Sequence, residues 1–238
     1  ATKQKIDNLT RYGRIALVAR SQIANSFYEE AKGGENISEA IDLYSRLLRS
    51  DENELDSTQV ELKLLRSLFK SDALARQEIR RMERNLKHEV NRMGKEEDEA
   101  KKLFDKNFPE ENKKITEPGK RQREFQSNRL LEMKKLNKKR SDLESERVNK
   151  EISAIERARA KNWTLLKNHT EQFIERYSGT EPDLRYDGEI RYYKFLANKA
   201  LGNQQQVQRD MDILLNDEST PEELRQAWLA TRVRIIID

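Results

Sequence analysis

The sequence predicts an all-α protein, with antiparallel helical hairpins at both ends of the chain and a long antiparallel coiled-coil hairpin inserted between them. Three observations predict it. Apolar residues recur at spacings of three and four along most of the 238 residues, the period of one face of an α-helix. Breakers are scarce, with 4 Pro and 8 Gly, and most fall between the periodic stretches. The charged fraction is 38% and the apolar fraction 35%, against about 25% and about 45–50% in an average globular chain. That balance is too polar for one large spherical core and suits helices with wide solvated faces. A disordered chain would share the polarity but not the period.

Charge and composition exclude several classes. The 47 basic and 43 acidic residues leave a net charge of +4, so the chain is a mixed polyampholyte whose charges pair along helix faces. The absence of cysteine excludes disulfides, thiol nucleophiles and cysteine metal sites. No apolar run approaches the ~20 residues that span a bilayer. No signal peptide is visible, and the start at Ala1 fits processing or trimming equally well.

Residues 1–72 read as the first set of short helices. Ile6, Leu9, Ala16, Ala19, Ile23 and Phe27 give an apolar side to a helix over 5–31, which Gly33 and Gly34 end. Asn36 with Glu39 reads as a capping pair for a helix over 37–49, whose Ile37, Ile41, Tyr44, Leu47 and Leu48 share a face. The two helices form an αα-hairpin. After a polar break, Thr58 and Glu61 read as a capping box before the dense apolar run Val60, Leu62, Leu64, Leu65, Leu68 and Phe69.

Residues 73–150 read as the long charged hairpin, with its tip near 109–119. Its first arm carries Ile79, Met82, Leu86, Val90 and Met93 at coiled-coil spacing, with Gly94 as a soft point and Pro109 as a stop. Pro118 and Gly119 read as breakers before a second helix over 120–177. The first half of that helix offers Phe125, Leu130, Met133, Leu136 and Leu143. The better seam follows, through Val148, Ile152, Ile155, Arg159, Leu166, Phe173 and Tyr177. A sparsely filled coiled coil also leaves room for a homodimer through this hairpin.

Residues 151–238 return to short helices that pack with the N-terminal part. Residues 178–182 read as a turn, followed by a helix from Asp183 or Asp187, a break at Gly202–Asn203 and a helix around Val207–Leu215. Thr220–Pro221–Glu222–Glu223 starts a last helix, whose apolar end packs on the preceding pair or continues into further chain.

The stretch from Gln172 to Thr180 (QFIERYSGT), then Tyr192–Tyr193 through Ala200–Leu201–Gly202–Asn203, resembles tetratricopeptide-type repeats of the variety found in bacterial envelope lipoproteins and periplasmic adaptors. Residues 31–48 resemble the same turn, with Ala40 and Tyr44 at the small and aromatic positions. Ser178 stands where that family usually has Pro, and the resemblance covers the two ends of the chain only. It implies a stacked-hairpin scaffold in the bacterial periplasm or envelope that binds another protein.

The candidate sites follow from these features. Tyr186 and Tyr192, flanked by Arg185 and Arg191, are the aromatics best placed off the main apolar stripe to contact a partner. From Lys113 to Arg140, eleven basic residues face three acids, a net charge of +8, and Lys134, Lys135, Lys138, Lys139 and Arg140 are its densest part. That cluster suits an anionic partner or surface, although Phe125 alone offers little base stacking. His88 and His169 sit in no metal-ligand spacing, and carboxylate runs such as Glu96–Glu99 read as solvated faces. No catalytic residue, cofactor or metal is expected. The leading expectation is a non-enzymatic protein–protein interaction scaffold; the alternative is a membrane- or polyanion-binding coiled coil that uses the basic tip.

Overall fold

The computed structural model describes residues 2–49, 57–108 and 117–216. Among these it contains six helices and no strand: α1 (Thr2–Glu30), α2 (Gly34–Arg49), α3 (Ser57–Asn107), α4 (Glu117–Tyr177), α5 (Glu181–Ala200) and α6 (Gln204–Asn216). The protein is therefore all-α. The expected loop over 109–119 lies outside the described residues as far as 116, with its last three residues in α4, and the expected last helix from Thr220 lies outside them altogether. The chain divides into two compact units, one of Ala1–Arg76 with Glu156–Asp238 and one of Gln77–Ile155.

The first unit is organised around the start of α3. Val60, Leu62, Leu64, Leu65 and Leu68 are all buried, although they point in different directions round the helix. The remaining side carries the half-buried Gln59, Lys63, Arg66 and Lys70, so neighbours cover the whole circumference. Lys63 donates to Asn25 Oδ1 at 2.8 Å, and Lys70 donates to the Tyr28 carbonyl at 2.5 Å, which sets α3 parallel to α1. Ser57 meets Tyr177 at 3.3 Å and Asn162 donates to Ser71 at 3.1 Å, which sets α3 antiparallel to α4. Arg66 clamps both oxygens of Glu189 at 2.7 Å, and Gln59 donates to Tyr186 at 3.1 Å, which sets α3 parallel to α5. One core joins these helices with Ala40, Tyr44 and Leu47 of α2.

Short connections set the remaining pairs. The three residues between α1 and α2 make them a hairpin, locked by Tyr44 donating to Asn25 at 2.7 Å. Burial pushes the Tyr44 hydroxyl up to about 12, so it stays a donor at any physiological pH. Between α5 and α6, Gly202 takes φ 75°. Its N–H reaches the Lys199 carbonyl at 3.2 Å, and the Asn203 N–H reaches the Asn198 carbonyl at 2.9 Å, the two bonds of a Schellman stop. A small second core of Phe195, Val207 and Met211 holds the two helices together.

Several boundaries differ from expectation. Helix α2 begins at Gly34, so Asn36 and Glu39 lie inside it and do not cap it. Helix α4 begins at Glu117, which puts Pro118 and Gly119 in its first turn, where a missing N–H costs nothing. Helix α5 begins at Glu181 after Thr180, so Pro182 starts the helix and does not belong to a preceding turn. Helix α3 runs unbroken through Gly94. Among the α1 side chains described, Leu17 and Ala24 are buried, followed by Ala31 just past the helix end, while the expected Ala16, Ala19 and Ile23 are exposed. The expected face is thus one position out of phase, since Leu17 and Ala24 each stand beside an expected residue.

The second unit is an antiparallel helix pair in which Arg140 meets Glu89 at 3.2 Å. On α3 the sheltered positions include Ile79, Met82, Leu86, Glu89, Met93, Glu97, Ala100 and Phe104; on α4 they include Leu130, Met133, Asn137, Ser141, Glu144, Val148, Ile152 and Ile155. Both sets keep spacings of three and four, but polar residues fill the middle of the seam. The expected seam residues Val90, Phe125, Leu136 and Leu143 are instead exposed.

One polar cluster closes the first unit where α3 meets α4. The buried Asp72 accepts from Trp163 Nε1 at 2.9 Å and from Arg159 Nε at 2.9 Å, and Arg76 pairs with its other oxygen. Asp72→Ala would strand a buried indole N–H and a half-buried guanidinium, and should lower stability by about 3 kcal/mol in urea denaturation. A loss below about 1 kcal/mol would mean that the cluster is solvated in the folded protein. Glycine supplies a second test. A Cβ at Gly94 meets nothing within 4 Å, so Gly94→Ala should raise helix stability by about 1 kcal/mol. Gly202→Ala, at positive φ, should lower stability by about 1–2 kcal/mol.

Candidate functional site

A cleft of about 640 Å³ in the first unit lies between α2 and α4, with Glu61 of α3 behind it. Helix α2 contributes Ser38, Ile41, Ser45, Leu48 and Arg49; helix α4 contributes Ala158, Lys161, Leu165, His169, Gln172 and Arg176. Ser38, Ile41, Ser45 and Leu48 on α2, and the whole α4 set, recur every three or four residues, so each is one helix face. Ile41, Leu48 and Leu165 pack against the core and supply the apolar part of a mixed lining. Arg49, Lys161 and Arg176 place cations round it, while the acid Asp42 is taken up by Arg46 at 2.6 Å.

Glu61 and His169 are the perturbed groups of the cleft. Glu61 is 1% exposed, and its partner is Arg176, which donates to Oε2 at 3.1 Å. Burial raises its pKa above the ordinary glutamate value, and Arg176 pulls it back down. Burial also lowers the pKa of His169, helped by the positive charges of Arg176 and Arg49. Perturbed groups in a cleft mark a candidate functional site. Here the carboxylate lies behind Arg176, its hydrogen-bond partner. Among the described residues, no group of three or more His, Asp or Glu side chains is placed to hold a metal ion.

The residues singled out from the sequence lie elsewhere. Tyr186 packs against the core and accepts from Gln59. Tyr192 stands edge-on to Phe69 at 6.4 Å, and Arg191 pairs with Asp187 at 2.5 Å. The side chain of Arg185 lies outside the described residues. Lys134, Lys135, Lys138 and Lys139 are exposed on α4, while Arg140 is engaged by Glu89. Glu61 escaped notice because a glutamate three residues after a threonine at a helix start reads as a cap. The signal against that reading was its place inside an apolar run, between Val60 and Leu62.

Comparison with protein-family models, with curated proteins and with solved structures finds no match to this chain. Among the described residues, no helix is long and apolar enough to cross a membrane.

The Glu61 shift gives a pH test. Because the fold raises its pKa, the stability this group supplies is complete below pH ~4.5 and is lost as pH rises through the folded value. Glu61→Gln should therefore be more stable than the parent at pH 7, with the difference shrinking towards pH 4, in urea denaturation at each pH. A variant less stable than the parent at pH 7 would show that the Arg176 contact outweighs burial.

Proposed function

We propose that this protein is a non-enzymatic scaffold that binds another protein in the cleft between α2 and α4. The observation that carries the reading is the combination, in one cleft, of the apolar residues Ile41, Leu48 and Leu165 with the cations Arg49, Lys161 and Arg176. Such a surface fits a segment that presents apolar and acidic side chains together. Support also comes from the alternating direction of successive helices in the first unit, as expected of stacked hairpins. The tetratricopeptide-like turns, and the envelope setting they imply, belong to the same proposal.

A second reading, contact of the basic stretch of α4 with an anionic surface, is favoured by one observation. Among the described residues, Lys134, Lys135, Lys138 and Lys139 form no ion pair.

Photo-crosslinking in cells tests the leading reading. A crosslinker at Lys161 or Gln172 should capture one protein, whereas one at the exposed Ala160 should not. The double variant Arg49→Glu/Lys161→Glu should reduce capture at Gln172 at least tenfold. Equal capture from Ala160, or capture unaffected by the charge reversal, would reject the cleft as the binding site.

A further inference from the structure

The cleft between α2 and α4 contains its own competitor for an acidic ligand. Glu61 enters it from α3 and is 1% exposed. Among the described residues its hydrogen-bond partner is Arg176, which donates to Oε2 at 3.1 Å. The Arg176 side chain is itself 54% exposed. It thus holds a buried carboxylate while remaining open to the cleft it lines, with further N–H donors to offer. An anion entering the cleft meets a cation whose charge is already opposed from behind.

The other charges of the lining divide cleanly. Its two carboxylates, Asp42 and Glu61, are each held by an arginine, Arg46 at 2.6 Å and Arg176 at 3.1 Å. Arg49 of α2 and Lys161 of α4 are exposed and form no ion pair among the described residues. The remaining titratable group is His169 of α4, which is half-buried and feels the charges of Arg176 and Arg49. Two cations therefore face the cleft unpaired, and the third is shared with Glu61.

Acidification changes two of these groups in the same sense. Glu61 loses a negative charge and His169 gains a positive one. Burial raises the Glu61 titration above the ordinary glutamate value, with Arg176 pulling against it. Burial lowers the His169 titration below the ordinary histidine value, and Arg176 and Arg49 lower it further. The two titrations are thus moved towards each other.

We propose that Glu61 is a built-in brake on this cleft: while charged it holds Arg176 and repels the acidic group of an incoming segment, and protonation of Glu61 and His169 releases the cleft for tight binding. The inference rests on the cleft being a site for a segment with apolar and acidic side chains, and adds what sets its affinity. By linkage, a bound anion favours proton uptake by the same two groups.

The probe is 8-anilinonaphthalene-1-sulfonate, an apolar anion whose sulfonate stays ionised at every pH used, so that only the protein titrates. Fluorescence titration of the full chain at constant ionic strength should show at least fivefold tighter binding at pH 5 than at pH 7. Glu61→Gln should bind at least fivefold tighter than the parent at pH 7. Glu61→Gln/His169→Gln should change less than twofold between the two pH values. Arg49→Gln/Lys161→Gln should weaken binding at pH 5 at least fivefold, which places the probe in the cleft. Near-ultraviolet circular dichroism confirms the fold of each variant at both pH values. Equal affinity of Glu61→Gln and the parent at pH 7 would reduce the Glu61–Arg176 contact to a staple between helices and overturn the proposal. A pH response that is absent from the parent, or that persists in Glu61→Gln/His169→Gln, would also overturn it; the cleft would remain an anion site in these cases. Binding indifferent to Arg49→Gln/Lys161→Gln would reject the cleft itself, and the brake with it.

Discussion

The first turns of α3 impose the main constraint on the first unit. Val60, Leu62, Leu64, Leu65 and Leu68 spread over more than half of the helix circumference, and all five are buried. Fully burying one such side chain contributes about 1.5–3 kcal/mol, so leaving any flank open would be costly. Helices α1, α4 and α5 each take a flank, and each is fixed in direction by a polar contact to α3. The apolar run demands neighbours; the polar contacts choose their register.

Apart from the exposed Ser57–Tyr177 contact, those polar contacts are half-buried, which limits how they contribute. The Arg66–Glu189 clamp is two-pronged, takes the Tyr193 hydroxyl as a third donor, and lowers the pKa of Glu189 mainly through the Arg66 hydrogen bonds. It fixes α5 geometrically as well as electrostatically. Glu61 differs, because its burial opposes its charge and it has one exposed partner. The same helix thus holds a carboxylate-binding residue that fits its surroundings and a carboxylate that resists them. The second kind is the more informative about a binding cleft.

The fold class was legible because periodicity and breaker placement report helices directly. Helix starts were less so: Thr180–Glu181–Pro182 combines a cap residue with a proline in the first turn, yet reads as a turn when Gly179 and Pro182 are taken together as breakers. Faces were harder still. On α4, Leu136 and Leu143 outweigh Asn137 and Glu144 in apolarity, yet the latter pair faces α3. Periodicity identifies a stripe but cannot say which of two adjacent stripes meets a given neighbour. The cleft was not legible, since its residues come from three helices far apart in sequence and most are ordinary surface types. Only Glu61, charged within an apolar run, stood out locally.

The pairing of α3 with α4 in the second unit has a consequence for how this part of the chain can change in length. Glu89 faces Arg140, and Met82 shares a cleft with Val148, so each step outward on one helix is matched by a step back on the other. A deletion of seven residues from one helix alone would leave its remaining stripe nearly in phase but shift every cross-pair by two turns. Equal deletions on both sides would keep phase and partners together. The hairpin is in this sense a telescoping element, free to vary in length by paired two-turn increments while its sequence between those increments stays in register.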